Sequence, residues 1–251
     1  MQPTANAHKA SFEKTKDYSL ALAWMVTGSY AVYLFFSENT VANLGKEDHF
    51  FEWLTAICLF IASLLFFQIF LTNKNTFCLL LSLLLFVGAG EEISWGQRIL
   101  GFQTPPSIKA MNVQNEFNLH NLSVFNTENF DKTRKKGWTR LLEINFLFRV
   151  FCMIYGIVLP LLALLSHPIK KMIAKYEIPL PPLSIGLFFG ISWLQYYLLM
   201  TLLPPGRMEE YYYTAGEIFE CTCSYVLLAS SLYCFFSLQR TNSRLKEKSY
   251  I

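Results

Sequence analysis

Charge is scarce in this chain. Asp, Glu, Lys and Arg make up only 16% of its 251 residues, and 21 basic against 18 acidic residues leave a formal charge of +3. That near-balance argues against a nucleic-acid surface or an acidic interaction tail. Cysteine is sparse and badly placed for a framework. All six (Cys58, Cys78, Cys152, Cys221, Cys223 and Cys234) lie in apolar runs and none forms a Cys-x-x-Cys, which argues against a disulfide scaffold or a zinc knuckle. There is no internal repeat and no inverted pair of broken helices, so the usual pointer to transporter architecture is missing.

What is present is apolar. Hydrophobic residues reach 53%, aromatics 16% and the mean hydropathy is +0.31, with the apolar residues gathered in runs of about 20 rather than at helical or strand periods. These runs exclude disorder, collagen and coiled coil, and predict an all-α polytopic transmembrane helical bundle of about six spans. The expected spans are Tyr18 to Ser37, Phe51 to Leu71, one from Phe77, Leu141 to Leu165 with a late Pro160, Leu183 to Leu203, and Arg207 to Leu238. The chain then divides into a polar tail at 1–17, a single helical domain at 18–238 and a polar tail at 239–251. The first run is too long for a signal-peptide core and reads as an uncleaved signal anchor.

The connections are short except for residues 101–137. That stretch is too rich in Met111, Phe117, Leu119, Leu122, Phe125 and Phe130 for a disordered linker, which predicts a partly ordered loop folded over the bundle or lying on the membrane surface.

Alternating spans bring the polar residues to one leaflet: Glu38, His49, Glu52, Glu91, Glu92, Arg98, Glu116, His120, Glu143, Arg149 and the stretch from Arg207 to Glu220. About 14 residues separate Phe77 from Glu91. At roughly 1.5 Å each they cover about 21 Å of a core about 30 Å thick, so the carboxylates sit within the bilayer or at its boundary. Charges at such depth need partners, water or metal, and the expectation is a polar cavity open to one side. Its solvated alternative, helix ends in the headgroup region, suits Glu38, His49 and Glu52 best.

In Gly90-Glu91-Glu92-Ile93-Ser94-Trp95-Gly96-Gln97-Arg98, helical spacing puts Glu91, Trp95 and Arg98 on one face with Glu92 beside them. The adjacent pair suits a divalent cation or a proton donor, whereas Trp95 and Arg98 also fit plain interfacial anchoring. In Asn112 to Asn121, Glu116 and His120 are four apart, which is metal-ligand spacing on a helix. Glu210, Thr214, Glu217 and Cys221 share a stripe of the last helix, with Glu220 beyond Glu217. The candidate catalytic residues are therefore Glu91, Glu92, His120 and Arg98. The candidate ligands of a divalent metal ion are Glu91, Glu116, His120, Glu217 and Glu220, and the candidate substrate contacts are Trp95, Gln97, Arg149 and Asn118.

The run Glu91 to Arg98, then Thr104-Pro105 and Asn118-Leu119-His120-Asn121, resembles an uncharacterised family of small bacterial multipass membrane proteins over roughly residues 50–122. The resemblance implies a helical membrane fold in a bacterial inner membrane and no activity. Membrane ceramidase-like hydrolases are similar in kind, but their multiple-histidine pattern is absent and no residue is carried over. Three readings stay open: a metal-dependent hydrolase or transferase acting on a lipid or lipid-linked group within the bilayer, a transporter or ion-coupled module, and a scaffold of a membrane complex. Basic residues on the tails and short connections favour termini inside, with the cluster opening to the periplasm. Lys132, Arg134, Lys135 and Lys136 of the long loop argue for the inverse.

Overall fold

The computed structural model describes residues 5–46, 49–126, 133 and 135–249, and the side chains of 18–243 among them; Phe130, Lys132 and Arg134 lie outside these residues. The fold is all-helical, 77% helix, and among the described residues there is no strand, only an isolated bridge between Asn112 and Leu122. In chain order the helices are α1 (Ala5–Tyr30), α2 (Val32–Phe35), α3 (Glu38–Leu44), α4 (Phe50–Asn73), α5 (Thr76–Glu92), α6 (Gln97–Leu100) and α7 (Pro106–Lys109). After the loop come α8 (Ile144–Leu165), α9 (His167–Lys175), α10 (Leu183–Leu202) and α11 (Glu209–Ser249).

Four helices, α4, α8, α10 and the described part of α11, are each long and apolar enough to cross a membrane. The pair formed by α5 and Ser94–Leu100 reaches the same measure only as a broken span bent by 68°. The expected first span differs from its counterpart: α1 stops at Tyr30, and α2 follows after a break at Ala31. Exposed apolar side chains such as Trp24, Leu64, Leu83, Leu164, Leu187 and Leu194 cover the outside of the bundle, the surface a bilayer requires.

α11 is the axis of the packing, touching α1, α3, α4 and α10. Its buried face is unusually rich in small and hydroxylated residues: Thr214, Ala215, Cys221, Thr222, Cys223, Ser224, Ser230 and Ser231 are all buried. Thr214 Oγ1 reaches Val41 O of α3 at 3.1 Å as well as Glu210 O of its own helix, but the deeper hydroxyls need no partner on another helix. Thr222 Oγ1 donates to Phe219 O at 2.9 Å, Ser224 Oγ to Cys221 O at 2.7 Å and Ser230 Oγ to Val226 O at 2.6 Å, so each polar group is satisfied within its own helix while its small size lets neighbouring backbones approach. The α4/α5 hairpin uses one interhelical bond, Ser63 Oγ to Ser82 O at 2.8 Å. Its turn is capped by Asn75, whose Oδ1 accepts from Phe77 N and Cys78 N and whose Nδ2 donates to Glu177 O.

α8 contains a π turn at Ile154–Val158, immediately before Pro160; the wider turn accommodates a residue that cannot donate. It also presents Gly156 to Gly186 of α10. A Cβ on Gly186 would lie 1.6 Å from Gly156 O, and one on Gly156 would lie 2.2 Å from the Phe189 ring. This crossing admits only glycine. Gly186→Ala is therefore expected to separate α8 from α10 and cost about 3 kcal/mol or more, at the upper end of overpacking penalties, read as a lowered thermal transition in detergent; an unchanged transition would contradict the crossing.

Candidate functional site

The single helical face expected for Glu91, Trp95 and Arg98 by spacing alone does not form, because the helix ends at Glu92. Ser94 (φ 45°), Trp95 (φ 55°) and Gly96 (φ 74°) are three successive residues in the left-handed region, where only glycine rests easily. Such a turn persists only if its surroundings enforce it. Here the Trp95 indole N–H donates to Glu91 Oε1 at 2.7 Å, and the ring lies against Gly90, where a Cβ would come within 2.9 Å of it. Ser94 Oγ donates to Glu116 Oε2 at 2.9 Å. The turn is thus held from both sides.

The residues that hold it come from the loop, and they are buried. Asn112, Glu116, Asn118 and Asn121 are at most 8% exposed. Glu116 is not on a helix with His120, as its spacing suggested, because Asn115 adopts φ 63° and the segment runs as successive turns. Its carboxylate pairs with Arg98 and accepts from Asn118 Nδ2 at 2.8 Å as well as from Ser94. Asn112 Oδ1 accepts from the backbone N–H groups of Gln114 and Glu116, while its Nδ2 donates to Asn118 Oδ1 at 2.9 Å. Gln97 spans the gap: its Nε2 donates to Thr104 Oγ1 at 2.9 Å and its Oε1 accepts from Phe117 N at 2.7 Å. Asn121 Nδ2 donates to Gln114 Oε1. Together these residues form a latch that fastens residues 104–121 onto the end of α5.

Glu91 closes the latch on its other side. Its Oε2 accepts from Leu119 N at 2.6 Å and from His120 N at 2.9 Å, and lies 3.5 Å from His120 Nδ1. Burial by itself would push the His120 imidazole down, but the Glu91 carboxylate, aided by Glu220 and Glu116, lifts it above the ordinary value of 6.5. His120 is thereby carried to the polar end of the bundle. There, the electrostatic neighbours of Glu92 are Glu220 and Glu217 of α11, Glu52 of α4 and Glu91, and those of Glu220 are His120 and Arg149 of α8. Arg149 is stacked between the rings of Tyr196 and Phe219, 5.1 Å from each centroid, and its Nε has no hydrogen-bond partner. Glu92, Glu217 and Glu220 are each half-buried rather than sealed.

No family model, curated protein or solved structure matches this chain. The geometry therefore carries the functional argument alone. It divides the candidate residues into two groups. Trp95, Gln97, Arg98, Glu116 and Asn118 belong to the latch, whereas Glu92, His120, Glu217, Glu220 and Arg149 form a cluster of electrostatic neighbours, with Glu91 serving both. Among the described residues, no three His, Cys, Asp or Glu side chains are disposed to hold a metal ion. Glu52 is an electrostatic neighbour of Glu92 although its position at a helix start suggested simple solvation, and Asn112 and Asn121 join the latch unannounced. One signal pointed to the asparagines: Asn112, Asn115, Asn118 and Asn121 recur every third residue, a density typical of side chains that bond their own turns.

Two outcomes follow for the latch. Asn118→Ala leaves more than one buried group unsatisfied, at about 1–3 kcal/mol each, and is expected to lower the thermal transition and open residues 104–121 to proteolysis while the helical content persists; a protected loop would contradict this arrangement. The raised His120 value makes the His120–Glu91 pair stabilising in full below pH 6.5 and progressively lost as pH climbs through the folded-state value. Thermal transitions measured across pH 5 to 9 (roughly) should show this loss in the wild type and not in His120→Gln.

Proposed function

We propose that this protein is a multipass membrane enzyme, a hydrolase or transferase, that acts on a lipid or lipid-linked group presented to the cavity. In this reading α1 completes a set of six spans, with the loop closed over one end of the bundle, and a bacterial inner membrane is the location that the resemblance noted above suggests. The observation that carries the proposal is the meeting of Glu92, Glu217 and Glu220 with His120 and Arg149 at that end. Neither anchoring nor packing requires Glu217 and Glu220 to be electrostatic neighbours of Glu92, and grouping them costs free energy that function must repay.

The chemistry follows from the placement of His120. Glu91 lies beside Nδ1, which orients the ring and leaves Nε2 to take a proton from an attacking water or hydroxyl. The arrangement is that of a base steered by a carboxylate, the logic shared by nucleophile-activating triads. Arg149, with its unpartnered Nε held between two rings, is the group that faces developing negative charge on the reacting ester or phosphoryl oxygen. Glu92 and Glu220 hold or deliver the proton to the leaving group.

A second reading is favoured by the charge imbalance of the same site. Glu52, Glu92, Glu217 and Glu220 outnumber Arg149 and His120, and a divalent cation would balance them. No three described side chains are disposed to hold it as they stand, so in this reading Glu92, Glu217 and Glu220 would close around the ion on binding, and it would supply a more acidic water. Glu116, paired with Arg98, is outside that set.

The test is turnover of a mixture of bacterial-type phospholipids and lipid-linked substrates by purified protein. His120→Gln and Glu220→Gln are each expected to lower the rate about 10²–10⁴-fold, the usual loss on removing a general acid or base, with elution as a folded species retained and, for His120→Gln, the comparison made above the pH at which the His120–Glu91 pair stabilises the fold. Wild-type activity should rise with pH as His120 loses its proton. Metal content by mass spectrometry separates the two readings: near-stoichiometric metal in wild type, lost in Glu217→Gln and Glu220→Gln, supports the cation. An inactive wild type on all lipid classes would overturn the enzyme reading.

A further inference from the structure

On the other side of the Ser94–Gly96 turn, a groove of about 370 Å³ runs between α4 and α5, within the roughly 300–1,000 Å³ of pockets that hold small ligands. Its floor is made of small residues, with Ala56 and Ala89 both 5% exposed. Its rim is aromatic: Phe60 lies 6.3 Å from Phe86, and Phe86 meets Trp95 edge-on at 6.2 Å. No charged, hydroxyl or amide side chain lines it. The only polar lining atoms on side chains are indole nitrogens, and that of Trp95 is committed to Glu91. A polar occupant would therefore be desolvated without a hydrogen bond.

Phe60 and Phe86 are 43% and 45% exposed on α4, apolar enough to cross a membrane, and on α5, which reaches that measure together with Ser94–Leu100; in a bilayer the groove therefore opens sideways into lipid. Two residues beyond the lining residue Gly96 stands Arg98, whose side chain keeps 43% exposure while it pairs with Glu116. Ile99 and Leu100 beside it are exposed apolar residues, which marks the level where chains give way to headgroups. The order along the protein is apolar slot, then basic group, which complements an acyl chain followed by a phosphate.

We infer that this groove binds one acyl chain of a bilayer glycerophospholipid, with the phosphate at the level of Arg98. Trp95 is both a wall of the groove and the donor to Glu91, which in turn positions His120. A seated chain thus buttresses the turn that holds the cavity together. That the chain belongs to a substrate rests on the function proposed above; binding itself does not.

The test uses full-length protein in phosphatidylglycerol/phosphatidylcholine vesicles doped with a phospholipid carrying a photoactivatable diazirine in mid-chain. After irradiation, adducts mapped by mass spectrometry are expected on Ala56 and Ala89 as well as on the rim, saturating with probe and displaced by unlabelled lipid. Adducts on the outer face of α10 (Leu187, Leu194 and Leu198) should instead grow in proportion to probe. Filling the floor with Ala89→Leu, or the exposed wall with Ile57→Trp, should reduce floor labelling roughly tenfold, the effect of losing about two buried methylenes of contact. Labelling of the floor that does not saturate, or that persists unchanged in both variants, would overturn the inference. His120→Gln, which removes the proposed chemistry, is expected to keep the labelling, so a protein that labels but does not turn over refutes the enzyme and not the groove.

Discussion

The carboxylate of Glu91 is the joint on which this end of the molecule depends. One oxygen accepts the indole N–H of Trp95 and the other accepts two successive backbone N–H groups of the loop beside the His120 ring. Charge-assisted bonds of this kind gain strength where water is excluded. They offset the cost of three successive left-handed residues, two of which carry side chains. Without the acceptor, the turn would have no reason to persist and the loop nothing to close against. Gly90 is part of the same constraint, since only the missing Cβ lets the Trp95 ring lie over the helix.

The broken span has a consequence for the cavity. The chain bends by 68° directly after Glu92, and the electrostatic neighbours of Glu92 are Glu52 of α4 and Glu217 and Glu220 of α11, each near the start of its helix. α11 can deliver its carboxylates there because its deeper residues are small and their hydroxyls are satisfied by its own carbonyls, which lets it sit at the centre of the bundle. The glycine crossing of α8 and α10 sets Arg149 beside it.

Much of this was legible in the residues. The apolar runs gave α4 and α10 and the start of α11 within a few positions, while the end of α11 lies well beyond the expected Leu238, and the expected alternation of spans grouped Glu92, Glu217, Glu220, His120 and Arg149 at one face. The π turn in α8 and the break at Ala31 were not legible, because both depend on neighbouring helices. The division between latch and cavity was also hidden. Glu91 and Glu92 are adjacent and chemically identical, and Glu116 has the same spacing to His120 as a pair of ligands would. Their roles separate only when the backbone turns left-handed at Ser94.

Composition and run length by themselves determined that the chain is helical and built for a membrane, since about 20 apolar residues in a row bury their backbone polar groups in no other way. Which carboxylate is structural and which stands in the cavity was decided only by tertiary structure. That choice depends on where donors from a segment some 25 residues away in sequence come to rest, and a hydrogen bond is directional over about 3 Å while sequence spacing is blind to it.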